Sequence, residues 1–158
     1  MVFGGICADG KTQMVFVNEG VKISPEYYIE QILESEVLPW SHFHFGNRDW
    51  IFQQDGAPAH RAKSTQQWCE ANFSGSINAA EWPSSSPDLN PMDFAVWGYL
   101  TQQVATKNYA NLEALSLKTS LKKAWDDLDV GYLRAVIDSY PKRLRAVIAA
   151  KGGRIENC

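Results

Sequence analysis

Two short apolar runs open the chain, "MVFGGIC" and "TQMVFVNEG", joined through "ADGK". Asp9-Gly10 is a hairpin-turn dipeptide in that setting, so the opening reads as a β-hairpin. In "SPEYYIEQILESEVLPW" the apolar positions change to helical spacing, with Ser24 placed to cap and Pro25 at the first helical position. "DWIFQQD" is an apolar run closed by Gly56 and Pro58, the pattern of a strand buried on both faces. "AKSTQQWCEANF" reads as a short helix and "INAAEW" as a short strand. Helices follow from Pro91 to about Ala105, from Asn111 to about Asp126 and from Val130 to about Ala150. Pro141 is expected to kink or divide the last, and Gly152-Gly153 to end it. Hairpin, helix, central strand, helix, strand and then several helices make an α/β chain with a sheet flanked by helices.

Composition narrows the class. The chain has 158 residues, 45% apolar and 21% charged, which suits one domain with its own core. No apolar run reaches the roughly 18 residues that span a bilayer. The opening has neither a basic stretch nor a long apolar one, so no signal peptide is expected. Cys7, Cys69 and Cys158 lack metal-type spacing and read as free thiols in a reducing compartment. A net charge of −3 weighs against a dedicated nucleic-acid-binding module. The closing stretch "YPKRLRAVIAAKGGR" nevertheless gathers Lys142, Arg143, Arg145, Lys151 and Arg154 with no acid. It is either a solvated helix face or a patch that contacts phosphates.

Two acids change the picture further. Asp55 ends the "WIF" run, and the carboxyl ends of strands are where open α/β sheets build sites. Gly56 is read as letting the backbone turn away there; a turn aspartate is the plainer alternative. With Asn90 capping and Pro91 opening the next helix, Asp93 falls in its first turn, where an acid suits the helix dipole. Trp97, Leu100 and Val104 follow at helical spacing, which places Asp93 on the buried stripe. Two carboxylates of this kind can converge on Mg²⁺ or Mn²⁺, hard cations that prefer carboxylate oxygen. A pair of such ions roughly 3.5–4 Å apart activates a nucleophile and stabilises the leaving oxygen of a phosphodiester.

"WIFQQDGAPAH" and "WPSSSPDLNPMDFAVWGYL" together resemble the catalytic domain of mariner/Tc-type transposases. "VFGGICADGKTQMVFV" and "YPKRLRAVIAAKGG" resemble further segments of that family. The resemblance implies a ribonuclease-H-like fold, a mixed sheet flanked by helices, as one catalytic domain over residues 1–158. It implies that Asp55 is the second acid of the catalytic triad and Asp93 the third. The intervening residues 56–92, 37 in all, and Asp rather than Glu at the third place match the mariner-like branch. Asp88 belongs to the loop motif and is expected to hold that loop by accepting backbone hydrogen bonds. The proline-rich loop then acts as a brace that aims Asp93. His60 is either a polar residue at a helix entry or a group near substrate phosphate.

The family's first acid lies on a strand upstream of the opening hairpin, so the domain is expected to be incomplete at its N-terminus, without its first strand and without the family's helix-turn-helix region. In that case the "MVFGGIC" strand would pair with "DWIFQQD", or another copy would fill the gap. The implied function is metal-dependent DNA strand cleavage and strand transfer in cut-and-paste transposition, with Mg²⁺ or Mn²⁺. Transposon ends and target DNA are the implied partners, together with a homodimer in the nucleus. No membrane and no small-molecule substrate are implied. Asp55 and Asp93 are the expected catalytic and metal-holding residues. His60, Lys142, Arg143 and Arg145 are the expected DNA contacts. With two of three acids, the isolated chain is expected to cleave DNA barely or not at all. The competing reading is a non-catalytic relic that binds DNA or protein. An unrelated ribonuclease-H-like hydrolase is a third, which the Ser-Pro-Asp-Leu-Asn-Pro loop argues against.

Overall fold

The structure is a computed structural model that describes residues 1–83, 85–105, 114–152 and 155. The chain divides into two compact units, Met1–Gly5 with Val15–Ser86 and Ile6–Met14 with Pro87–Cys158.

In the first unit, β1 (Val2–Phe3) pairs antiparallel with β4 (Val15–Phe16). Helix α1 (Pro25–Tyr28) starts as its sequence directs: Ser24 Oγ accepts from Tyr27 N–H at 3.2 Å and Pro25 opens the first turn. It continues through a π-helical stretch, Ile29–Val37, into α2 (Leu38–Phe45). Tyr28, Ile32, Leu33 and Val37 are buried along this run, against Ala59 of α3 (Pro58–Arg61) and Cys69 of α4 (Lys63–Asn72). Phe73 closes that core, with Trp50 and Phe52 on its ring at centroid distances of 4.9 and 4.8 Å.

The run around Phe52 departs from the strand expected there. Ile51 is 71% exposed, so the segment is not buried on both faces. Its pairing is a single parallel bridge from Phe52 to Ser76, held by Phe52 N–H to Gly75 O and Ile77 N–H to Phe52 O. The aromatic rings on either side of Ile51 take the apolar contacts, and the bridge uses the N–H and C=O of Phe52 alone. "INAAEW" is a turn rather than a strand. Asn78 Oδ1 accepts from the N–H groups of Ala80 and Glu81, which curls the chain locally. Among the described residues the opening strand does not pair with "DWIFQQD"; β1 takes β4 instead.

In the second unit, β2 (Ile6–Cys7) and β3 (Gly10–Lys11) form a tight hairpin, but Cys7 pairs with Gly10, so the turn is Ala8-Asp9, one residue before the expected Asp9-Gly10, and Gly10 opens β3 without a positive φ. A 3₁₀ turn, Pro87–Leu89, leads into a helix whose first part is π-helical, Met92–Val96, and whose remainder is α5 (Trp97–Ala105). Helices α6 (Ala114–Asp126) and α7 (Val130–Ala149) complete it. The expected start of α6 at Asn111, and also Cys158 and Arg154, lie outside the described residues. Pro141 does not divide α7. Its ring removes one backbone donor, and the turns on both sides carry the helix through. Leu89, Val96, Leu100, Trp125, Leu128, Leu133 and Val136 are buried here. Trp125 Nε1 donates to Thr12 O at 2.9 Å, and Lys11 Nζ to the carbonyls of Asp126 and Leu128, which ties the hairpin to the end of α6. Burial lowers the Lys11 pKa, against the pull of Asp126, Asp127 and Asp129. The described cysteines, Cys7 and Cys69, form no disulfide, and burial pushes both thiols up to about 11.

Candidate active site

Asp55 follows the Phe52 bridge and sits at the surface, its side chain 47% exposed. Its Oδ1 accepts from Ala57 N–H at 3.0 Å, an Asx turn that fixes the carboxylate over its own loop. The same oxygen lies 2.6 Å from His60 Nδ1. Nδ1 is buried and finds no partner with good hydrogen-bond angles. The contact is nonetheless attractive only if Nδ1 carries the proton, since two bare lone pairs at that distance would repel. His60 lowers the Asp55 pKa, the N–H of Ala57 adds to this, and partial burial opposes it. The imidazole is held from the other side by Tyr28, with ring centroids 4.2 Å apart. Tyr28 Oη donates to Gln54 Oε1 at 2.9 Å, so one buried tyrosine steadies both neighbours of the acid. The structure thus places His60, 17% exposed, as the group that orients Asp55.

Beside Asp55 lies a cavity of about 170 Å³ whose walls include Gln54, Arg61, Gln66, Trp82 and Ser85. Gln66 is fixed at both ends of its amide, Nε2 to His60 O and Oε1 from Ala79 N–H. Arg61 is exposed and has no ion-pair partner among the described residues. Gly56 has no positive φ, so the sharp-turn role expected of it is not what it supplies. Nor does close packing demand a glycine. A Cβ there would touch Arg61 Cδ at 3.8 Å and Trp82 Cδ1 at 3.9 Å. Ser85 adopts φ +53°, a left-handed conformation rare for a serine, which marks local strain in the proline-rich loop.

Asp93 belongs to the second unit. Asn90 caps the helix as expected, its Oδ1 accepting from Met92 N–H at 3.3 Å. Its amide donates to Asp93 Oδ2 at 2.9 Å. Asp93 itself is exposed, which corrects the expectation that it lies on the buried stripe. The reason is the π-helical turn: i→i+5 bonding over Met92–Val96 takes more residues per turn and rotates Asp93 out of phase with Leu100. Val96 and Leu100 keep the buried face.

Asp88 braces this segment differently from the way expected. Its carboxylate makes no hydrogen bond among the described residues; its carbonyl accepts from Arg143 Nη1 at 3.2 Å. Arg143 also lies over the Phe94 ring, Cζ 3.8 Å from the centroid. Of the three basic residues expected to contact DNA from α7, Arg143 is therefore drawn inward, while Lys142 and Arg145 are exposed. Sequence reasoning missed Arg61, Trp82 and the inward turn of Arg143. Arg61 had one signal, a cation directly after "GAPAH".

Residues 1–116 match the family model described as DDE superfamily endonuclease. The transposable element Tcb1 transposase of Caenorhabditis briggsae is 35% identical over 133 residues, 80% of this chain and 44% of that protein. The transposable element Tc3 transposase of Caenorhabditis elegans is 31% identical over 155 residues, 98% of this chain and 45% of that protein. The chain thus spans about half the length of the curated relatives it matches. Among solved structures, the catalytic domain of the Mos1 mariner transposase superposes with a TM-score of 0.78 at 19% identity, over 94% of this chain and 72% of that one. The Mos1 catalytic domain solved with raltegravir and Mn gives 0.77 at 20% identity, over 94% and 74%. The shared fold is the ribonuclease-H-like one expected from the sequence.

Proposed function

Since this chain belongs to the DDE superfamily endonuclease family, as a mariner/Tc-type transposase catalytic domain, we propose that it supplies catalytic acids for metal-dependent DNA strand cleavage and transfer. Asp55 and Asp93 are the acids. The observation that carries this is the state of Asp55: an exposed carboxylate at a loop mouth, oriented by His60 and Ala57 and kept ionised by them. Such a group fits a hard divalent cation, Mg²⁺ or Mn²⁺, and Mos1 structures solved with each support that choice. When bound, the ion supplies Lewis-acid polarisation of a phosphodiester and a more acidic water.

The chain's own residues do the positioning. His60 fixes the Asp55 carboxylate, and Asn90 fixes that of Asp93. The cavity beside Asp55 offers the Trp82 ring for a base and the Arg61 guanidinium for a phosphate. Lys142 and Arg145, exposed on α7, supply a further phosphate-contacting face. The Mos1 strand transfer and paired end complexes support DNA as the substrate. A homodimer acting on transposon ends and target DNA in the nucleus completes the proposal.

Binding of Mn²⁺ to the chain, followed through the electron paramagnetic resonance of the free ion, tests the assignment. Asp55→Asn and Asp93→Asn should each lower the affinity by at least about tenfold, the loss that removal of an outer-shell partner alone can cause. Unchanged affinity in both variants, with circular dichroism intact, would remove both acids from metal binding.

A further inference from the structure

The segment that carries Asp93 is held at both ends by a side chain from far along the chain. Arg143 Nη1 donates to Asp88 O, in the 3₁₀ turn before the helix. The guanidinium face lies 3.8 Å over Phe94, the residue directly after Asp93. Between those two contacts lie only Leu89–Asp93, with Asn90 making the local bonds to Met92 and Asp93. Leu89 buries its side chain beneath the turn, and Asn90 orients the carboxylate within it. Apolar burial by itself is non-directional. Arg143 adds direction, because α7 is anchored separately through its buried Leu133 and Val136. A guanidinium suits this role, since it can donate in its plane and stack across its face at once, whereas an ammonium can do only one well. Arg143 lies beyond the residues 1–116 that match the family model.

We propose that Arg143 is a positioning residue for the acid Asp93, acting through Asp88 and Phe94, and not a DNA contact. The proposal rests on the reading of Asp93 as a metal-holding acid. Without the guanidinium, the turn from Asp88 to Phe94 keeps its local hydrogen bonds and loses its directional attachment to α7. The carboxylate then samples orientations that do not serve the ion.

The test is Mn²⁺ affinity in Arg143→Gln and Arg143→Lys, each alone and combined with Asp93→Asn. Amide hydrogen exchange at Asp93 and Phe94, both hydrogen-bonded to Asn90 O, runs beside it. Arg143→Gln should weaken Mn²⁺ binding about tenfold, within the range for outer-shell partners, and Arg143→Lys should weaken it less. Neither should add to the loss already caused by Asp93→Asn, and exchange should accelerate at Asp93 and Phe94 but not at Leu133. Equal weakening with and without Asp93 would overturn the proposal, as would affinity and exchange that ignore Arg143. If Asp93→Asn itself leaves Mn²⁺ affinity intact, the metal reading fails. Exchange at Asp93 and Phe94 then decides the positioning role by itself. Should Arg143→Gln not fold, Phe94→Leu removes only the stacking surface and should give the smaller of the same changes. DNA binding that falls with Arg143→Gln as far as with Lys142→Gln, at unchanged exchange, would return Arg143 to the phosphate-contacting face.

Discussion

The two acid-bearing segments are held by different means. Asp55 is gripped by neighbours within five residues, the Ala57 N–H and the His60 ring. Asp93 accepts locally from Asn90, while its turn is fastened by Arg143, fifty residues on. The first grip forms as soon as the loop forms. The second requires α7 to dock within its unit, and so depends on tertiary packing around Trp125 and Leu133. One acid is therefore set by local sequence and the other by the fold.

The harshest way to break that contrast is Trp125→Ala. Trp125 is fully buried and bonded to Thr12 O, and removing a core tryptophan costs about 3–5 kcal/mol. Denaturant unfolding should show that loss, and exchange at Asp93 should rise more than exchange at the hydrogen-bonded Phe52 amide. Equal rises at both would erase the distinction. A milder probe compares caps. Asn90→Ala should cost about 1 kcal/mol and loosen Met92, and Ser24→Ala should cost a similar amount while leaving Asp93 unaffected. Asp93 responding to Ser24→Ala would contradict a local origin for the Ser24 effect.

The smallest expected effect is on pH dependence. Asp55 has a folded-state pKa below its ordinary value, so its stabilising contribution is present above an unfolded value of about 3.9 and disappears as pH falls through the lower folded value. His60→Ala removes the largest cause of the lowering. Carboxyl resonances should then show Asp55 titrating near its ordinary value, and the stability lost in that acid window should shrink. An unmoved Asp55 titration would show that the imidazole does not hold it. Because the side chain is half exposed, the change in stability should be small.

What is legible in the sequence follows the same division. Ser24 and Pro25 announce α1, Asn90 the cap before Asp93, and the "ADGK" stretch the hairpin to within one residue, because each signal and its partner lie a few residues apart. Where the partner is distant, local pattern misleads. An apolar run around Ile51 does not reveal that Trp50 and Phe52 turn to Phe73 while Ile51 faces water. Helical spacing after Asp93 assumes an ordinary α-turn, and the π-turn breaks the phase. A basic tail has the same composition whether its arginines reach DNA or, like Arg143, a carbonyl and a phenyl ring.

The contact between Arg143 and Asp88 also sets an order of events during synthesis. A chain emerges from the ribosome N-terminus first, so the Asp55 grip can close while the residues of α7 are still untranslated. Asp93 emerges well before the residue that fastens its turn. A nascent or prematurely stopped chain that ends before residue 143 would carry both acids with only one of them set. The orientation of Asp93 would be fixed late, only once α7 has been made and docked.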